Sequence, residues 1–232
     1  MDKVDKLDFV FYHIPKCGGS SIREFFKHAF VSKQFKNNEI YIACEDTNRP
    51  NIMDETKLAF YKTHFDKTRV LLAHINNTLY EKLDSKFNIT CIRNPIHRAI
   101  SSFNHFVLTD DPKANFEQLF KQSKIDTIVK NCYDCPIWLR TNLDDYNFII
   151  VFENLEHDLA VVSDMLQVTN NIKVPHVDPA KKNKELNPNI FKLNLELPLH
   201  KHIYNAMKLI LSKDIVIYNN ICLMRKLNHL VI

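Results

Sequence analysis

Two adjacent glycines, Gly18 and Gly19, are the only glycines in the 232-residue chain. A globular chain of this length ordinarily carries about sixteen. The pair lies in H-I-P-K-C-G-G-S-S, residues 13–21, between an apolar run and a helix-like repeat. The run Leu7–Ile14, LDFVFYHI, is short, rich in aromatic and branched residues and ended by Pro15, as a buried strand would be. After the glycines, Ile22, Phe25, Phe26 and Phe30 fall on one helical face. Ser21 and Glu24 match the S-x-x-E capping box, so a helix is expected to begin at the serine pair. A strand passing through a glycine turn into a helix is a phosphate cradle. Backbone N–H groups point into the turn, the helix dipole adds partial positive charge, and no Cβ blocks the approach. A plain β–α turn would use glycine only for positive φ. Lys16 before the pair, Ser20 and Ser21 after it, and the lack of glycine elsewhere favour the cradle.

Three more apolar runs read as strands of a parallel sheet: Arg69–His74, Phe87–Ile92 and Asn147–Phe152. Each is followed by polar or helical sequence, the alternation of an α/β fold. Residues Asn154–Val168 have a helical pattern, Thr169–Pro188 read as a loop, and Pro198–Ile232 read as helical again. No repeat, low-complexity tract or long linker divides the chain, so one domain over residues 1–232 is expected.

Lys and Arg number 31 against 27 Asp and Glu, a surplus of four. That surplus fits one local anion site and is too small to point to nucleic acid. Six cysteines are too sparse for a disulfide scaffold, and Cys132 with Cys135 form a lone C-x-x-C without a second pair. Nothing in the chain has the roughly 18 consecutive apolar residues of a membrane span. The start, MDKVDKLDFVFYHIP, lacks the pattern of a secretory signal. A soluble, cytoplasmic protein is therefore expected, or a Golgi-lumen one if an anchor belongs to a longer precursor.

The second cluster is CIRNPIHRAISSFNHF, Cys91–Phe106. Arg93 follows an expected strand, and Pro95 fits the first turn of a helix that carries Arg98, Ser101 and Ser102. Arg93 offers a planar fork and Ser101 a hydroxyl, together suited to one phosphate. Taken singly, Arg93 and Arg98 also fit surface charges or a structural ion pair. Both clusters follow strand C-termini, where open α/β sheets place their ligands. Two anion sites suggest a nucleotide phosphorylated at both ends. The first cluster is not a Walker loop, because Lys16 precedes both glycines, and no acidic residue for Mg²⁺ is apparent.

At these residues the chain resembles the PAPS-dependent sulfotransferases, in particular their carbohydrate branch of chondroitin, dermatan and heparan 2-O type. HIPKCGGSS resembles the family's 5′-phosphosulfate loop, H-I-P-K-T-G-G-T-S. IRNPIHRAISSF resembles its 3′-phosphate motif, R-D-P-x-x-R-x-x-S. LLAH resembles its G-H element, and VFENLEHDLAVVSDML and LSKDIVIYN resemble two later helical signatures. The resemblance implies a P-loop-like three-layer fold with a central, mostly parallel sheet flanked by helices. It implies PAPS as donor substrate, no required metal, and an acceptor hydroxyl, with a glycan favoured. It assigns Lys16, Cys17, Gly18, Gly19, Ser20 and Ser21 to the 5′ end of the donor, Arg93 and Ser101 to the 3′-phosphate, and Lys181 to a loop covering the nucleotide. Lys16 is then expected to neutralise the leaving bisphosphate, and His74 to take the acceptor proton, its ordinary pKa near 6.5 leaving it mostly neutral. His13 is the second candidate base. Asn76 and His105 adjoin the motifs and are candidates for acceptor contact, while Trp138 is read as core. Cys17 stands where the family has Thr, Asn94 where it has Asp, and Ala73 where it has Gly. Two alternatives stay open: a P-loop-type nucleotide kinase, and a non-catalytic nucleotide- or glycan-binding protein.

Overall fold

The computed structural model describes residues 7–32, 40–42, 52–53, 69–75, 83, 85–108, 111, 113–122, 143–168, 189–227 and 229–231. The chain forms two compact units, one of Met1–Ile92 with Cys135–Val177 and one of Arg93–Asp134 with Asp178–Ile232. The described strands are β1 (Phe9–Tyr12), β2 (Ile40–Ile42), β3 (Ile52–Met53), β4 (Val70–Ile75), β5 (Asn88–Ile92) and β6 (Phe148–Val151). The described α-helices are α1 (Gly19–Ser32), α2 (Pro95–Ser102), α3 (Phe116–Lys121), α4 (Leu155–Met165), α5 (Pro198–Ile210) and α6 (Ser212–Met224).

All six strands belong to the first unit, and every described pairing is parallel, giving an α/β fold. The order is β2-β4-β1-β5-β6, with β3 also paired to β4. The four strands expected from sequence are present, with ends shifted by one or two residues. The edge pieces β2 and β3 were not expected; three and two residues are too few for a period to be seen. Strand β1 is buried along its whole length, which is why FVFY shows no polar alternation.

Helix α1 covers one face of β1. The Phe26 ring lies 4.7 Å from that of Phe9 and 5.6 Å from that of Phe11, and Phe30 lies 4.9 Å from Phe9. Ile22, Phe25, Phe26 and Phe30 are all buried, as their spacing predicts. The helix starts at Gly19, ahead of the serine pair, and the Ile22 N–H donates to the Gly18 carbonyl at 3.2 Å. Ser21 therefore lies inside the first turn and not at its cap. The tight turn at Gly18 brings the backbone into helical geometry earlier than the capping pattern suggests.

Charge ties the N-terminal edge of the sheet. Asp8, just before β1, accepts from Arg69 and Lys86, which precede β4 and β5, at 2.5 Å each. Burial pushes the Asp8 carboxyl up, but hydrogen bonds from Lys86 and Arg69 outweigh it and hold the group below its ordinary range. Both cations are largely exposed, so water screens most of this pairing. The opposite edge has a buried tie, where the Thr90 hydroxyl of β5 donates to the Tyr12 carbonyl of β1 at 2.9 Å. Asp158 of α4 is fully buried and accepts from the Val151 N–H and from Asn154 Nδ2, both at 2.7 Å, anchoring α4 to the end of β6.

The second unit holds the other four helices. Asn94 caps α2, accepting from the Ile96 N–H at 3.0 Å and the His97 N–H at 3.3 Å, and Pro95 takes the first turn as expected. A π-turn, Phe103–Val107, extends α2. From it, Asn104 donates to the Phe191 carbonyl at 2.9 Å and accepts from the Phe191 N–H at 3.0 Å. That clamp sets the Phe191 ring flat on Phe116, centroids 4.1 Å apart. His200 Nδ1 accepts from the Asn194 N–H at 2.9 Å, so its Nε2–H is the donor to Glu117, 3.0 Å away. The stretch expected to be helical to Ile232 breaks at Leu211 and ends at Met224, after which Asn219 clamps the backbone of Val231 in the same two-point way.

Removing the Asp158 carboxylate leaves the Val151 N–H buried without its acceptor. We expect Asp158→Ala to lower stability by about 3 kcal/mol, measured by urea unfolding.

Candidate functional site

Strands β4, β1 and β5 end side by side, with Tyr12 in register with Ala73 and with Thr90. Beyond Tyr12 the chain makes one more sheet-like bond, the His13 N–H donating to the Ala73 carbonyl at 2.8 Å, and then leaves the sheet. The turn that follows is tight. The Cys17 N–H donates back to the Ile14 carbonyl at 3.3 Å, and both Lys16 (φ 65°) and Gly18 (φ 77°) adopt left-handed backbone. For Lys16 that conformation costs about 1 kcal/mol or more, a strain of the kind found at functional sites. Gly18 needs it as well, and a Cβ there would also strike the Phe152 ring. At Gly19 a Cβ would coincide with the imidazole of His13. The two glycines therefore have different reasons for being glycine, one conformational and one steric. Together they let the Phe152 and His13 rings pack directly against the backbone of a turn at a helix N-terminus, the kind of position at which anions bind.

Cys17 is buried, and its carbonyl accepts from the equally buried thiol of Cys91 on β5 at 3.0 Å. Its side chain faces the interior, so the missing threonine hydroxyl removes nothing from the open side of the loop. Ser20, half-buried, accepts at Oγ from the Arg23 guanidinium at 3.5 Å. Arg23 is not among the residues expected at the site; its signal is a basic residue in the first turns of the helix, three positions after Ser20.

His74 Nδ1 lies 2.7 Å from the His13 carbonyl. A carbonyl only accepts, so Nδ1 carries the proton and Nε2 is the basic nitrogen of the ring. The His13 and His74 rings stack with centroids 4.0 Å apart and planes 23° apart. Burial lowers the pKa of His74 from 6.5 to about 4; the bond to the His13 carbonyl raises it, and the charges of Arg23 and Lys16 lower it further. The ordinary value expected from sequence is thus corrected. A chain reading sees the residue type but not the desolvation or the two cations. Burial drives His13 well below the histidine range as well, with His74, Arg23 and Lys16 acting in the same direction. As a base, then, His13 is disfavoured by its surroundings. Lys16 and Arg23 thus act on both imidazoles from the same turn and the helix that follows it.

Of the expected site residues, the structure places Lys16, Cys17, Gly18, Gly19, Ser20, Ser21 and His74 in the first unit. Arg93, half-buried and directly following β5, and Ser101, half-buried in the last turn of α2, belong to the second. Arg98 and Ser102 are buried in α2, so Arg98 is not the surface charge it suggested alone. His105 is exposed on the π-turn. Lys181, Asn76, Trp138, Cys132 and Cys135 lie outside the described residues.

The described strands pair only in parallel, and the turn after the central strand β1 sets Lys16 and Arg23 near two histidines whose protonation burial opposes, at the sheet edge where α/β folds place their ligands. The chain belongs to the sulfotransferase family, whose profile matches residues 2–218, and it is a sulfotransferase-family enzyme. Among solved structures, the crystal structure of a sulfotransferase from Alicyclobacillus acidocaldarius is similar at 18% sequence identity with a TM-score of 0.48, over 92% of this chain and 94% of that chain. A search of curated proteins finds no match. Family membership sets the nucleotide-kinase alternative aside. No described helix is long and apolar enough to cross a membrane.

Two pH effects follow. In an NMR titration of the free protein, the His74 ring should titrate near pH 4 and show no midpoint above pH 6. Stability should also fall as pH drops from about 6.5 toward 4. In that window the unfolded chain binds protons that the folded His13 and His74 reject, a slope of about 1.4 kcal/mol per pH unit for each ring. Urea unfolding at a series of pH values checks the sign.

Proposed function

We propose that the protein transfers a sulfuryl group from PAPS to a hydroxyl acceptor, a carbohydrate hydroxyl being the best supported. The observation that carries this reading is the tight Gly18–Gly19 turn at the start of α1, with Lys16 and Arg23 near enough to act on His74, at the end of the strand next to the one bearing His74. The donor supplies an activated sulfuryl group on a leaving 3′,5′-bisphosphate.

In this reading the backbone of Cys17, Gly18 and Gly19 and the hydroxyls of Ser20 and Ser21 hold the 5′-phosphosulfate. Lys16 offsets the charge that builds on the leaving oxygens, an electrostatic role that needs no proton transfer. Arg93 and Ser101 take the 3′-phosphate, a planar fork and a hydroxyl matched to one tetrahedral anion. Lys181 belongs to the loop covering the nucleotide. His74 Nε2 receives the proton of the acceptor hydroxyl. The free-state pKa near 4 makes a weak base, and the bound donor corrects this. An anion in the turn offsets the charges of Lys16 and Arg23, so the proton affinity of His74 rises when the site is loaded. The carbohydrate acceptor rests on the likeness of the two donor motifs to the carbohydrate branch.

The deciding experiment is calorimetric titration with adenosine 3′,5′-bisphosphate in EDTA, followed by transfer of labelled sulfate to a panel of glycans and small hydroxyl compounds. The expected result is binding without added metal, preference over adenosine 5′-phosphate, and transfer to a glycan. Equal affinity for the two nucleotides would overturn the assignment. Arg93→Ala should weaken bisphosphate binding at least about tenfold and abolish the preference. His74→Ala should keep binding within about twofold while kcat falls at least about 100-fold. Lys16→Gly relieves the left-handed strain, so stability should hold or rise by up to about 1 kcal/mol while transfer is lost.

A further inference from the structure

We propose that His13 is a positioning residue that couples the donor loop to the base, its ring filling the space over Gly19 and its carbonyl holding Nδ1–H of His74. The inference rests on the sulfuryl-transfer reading and names a part of that site to which the reading gives no role.

Gly19 carries the argument. Its φ lies outside the left-handed region, so its backbone accepts any residue. The atoms nearest to an added Cβ are three ring atoms of His13, namely Nε2, Cε1 and Cδ2. Gly19 is therefore required by His13 and by nothing in its own conformation. The His13 ring has little room to move aside. It is fully buried and stacks on Phe11, 5.7 Å away and 15° from parallel, as well as on His74. Its Nδ1 is buried and has no hydrogen-bond partner. An apolar side chain would avoid that loss, so the imidazole is retained against a local energetic penalty. The first helical residue after the donor loop thus abuts one edge of an imidazole whose own residue supplies, through its carbonyl, the acceptor that sets the tautomer of His74.

The same contact shields His74. The charged and titratable groups acting on it include Lys16 on the loop, Arg23 on α1 and His13 at the end of β1. The stacked His13 ring adds no charge and keeps water from one face of His74. Truncating it admits water and lets the proton affinity of His74 rise toward its ordinary value.

The test is a double-mutant cycle with His13→Ala, Gly19→Ala and the pair together, on the full chain. Two readouts are used, the urea midpoint without nucleotide and the Kd for adenosine 3′,5′-bisphosphate. Gly19→Ala in the wild-type background should weaken bisphosphate binding at least about tenfold and lower the urea midpoint. In the His13→Ala background the same substitution should change Kd by less than about twofold and leave the midpoint in place. His13→Asn, which is shorter but still polar, should rescue Gly19→Ala in the same way, and it serves if His13→Ala does not fold. The acid limb of the kcat–pH profile should move upward in either His13 variant, a change that a purely structural contact would not produce. An equal effect of Gly19→Ala in all backgrounds, or an acid limb that stays in place, would overturn the inference. Failure of the wild type to bind the bisphosphate would overturn the donor reading instead, because the urea cycle reports the His13–Gly19 contact without any nucleotide.

Discussion

Strand β1 has no free edge. It is bonded to β4 on one side and β5 on the other, and its side chains are buried on both faces. A chain leaving such a strand can go only outward, over the C-terminal edge of the sheet, and it must turn at once to return as a crossover helix. Everything particular about the loop follows from this confinement. The turn is tight enough to put Lys16 and Gly18 in left-handed backbone, and the helix starts so close to the strand that Gly19 meets the ring of His13. The shape of the turn is therefore a product of packing, with Phe152 against Gly18 and His13 against Gly19. The Cys91 thiol holds the Cys17 carbonyl from beneath.

Two cations and two neutral imidazoles in one place is an arrangement that ordinary solvation would oppose. It persists because neither histidine takes a proton: burial acts first, and Lys16 and Arg23 add to it. An enzyme needing a proton acceptor beside an anion site faces a conflict, since the cations that attract the anion also weaken the base. Here the conflict resolves in time. In the proposed reading, an anion bound at the turn offsets Lys16 and Arg23, so the base is strongest when the donor is in place.

The central architecture was legible in the chain because buried parallel strands leave short, unbroken apolar runs, as in FVFY and FIIV. The turn into α1 was legible for an unusual reason: with glycine absent elsewhere, Gly18 and Gly19 stood out without an alignment. Other features had no one-dimensional signal. Strands β2 and β3 are too short to show a period. The start of α1 was set by the turn at Gly18 and not by the Ser21–Glu24 pattern. Arg23 looked like any exposed helix charge, because its relation to Ser20 and the two histidines exists only after folding. His74 was recognisable by its place after VLLA, but its protonation behaviour depends on neighbours up to 61 residues away along the chain.

The strand order also bears on how the molecule is made. Residues 9–12 leave the ribosome well before their partners, residues 70–73 and 88–90. Until the chain has been synthesised beyond β5, an aromatic, uncharged segment with both backbone edges open has nothing to pair with. Such a segment is a natural target for chaperones during translation and a template for self-association when they are scarce. The turn after β1 therefore takes its final shape only once β5, far along the chain, has emerged.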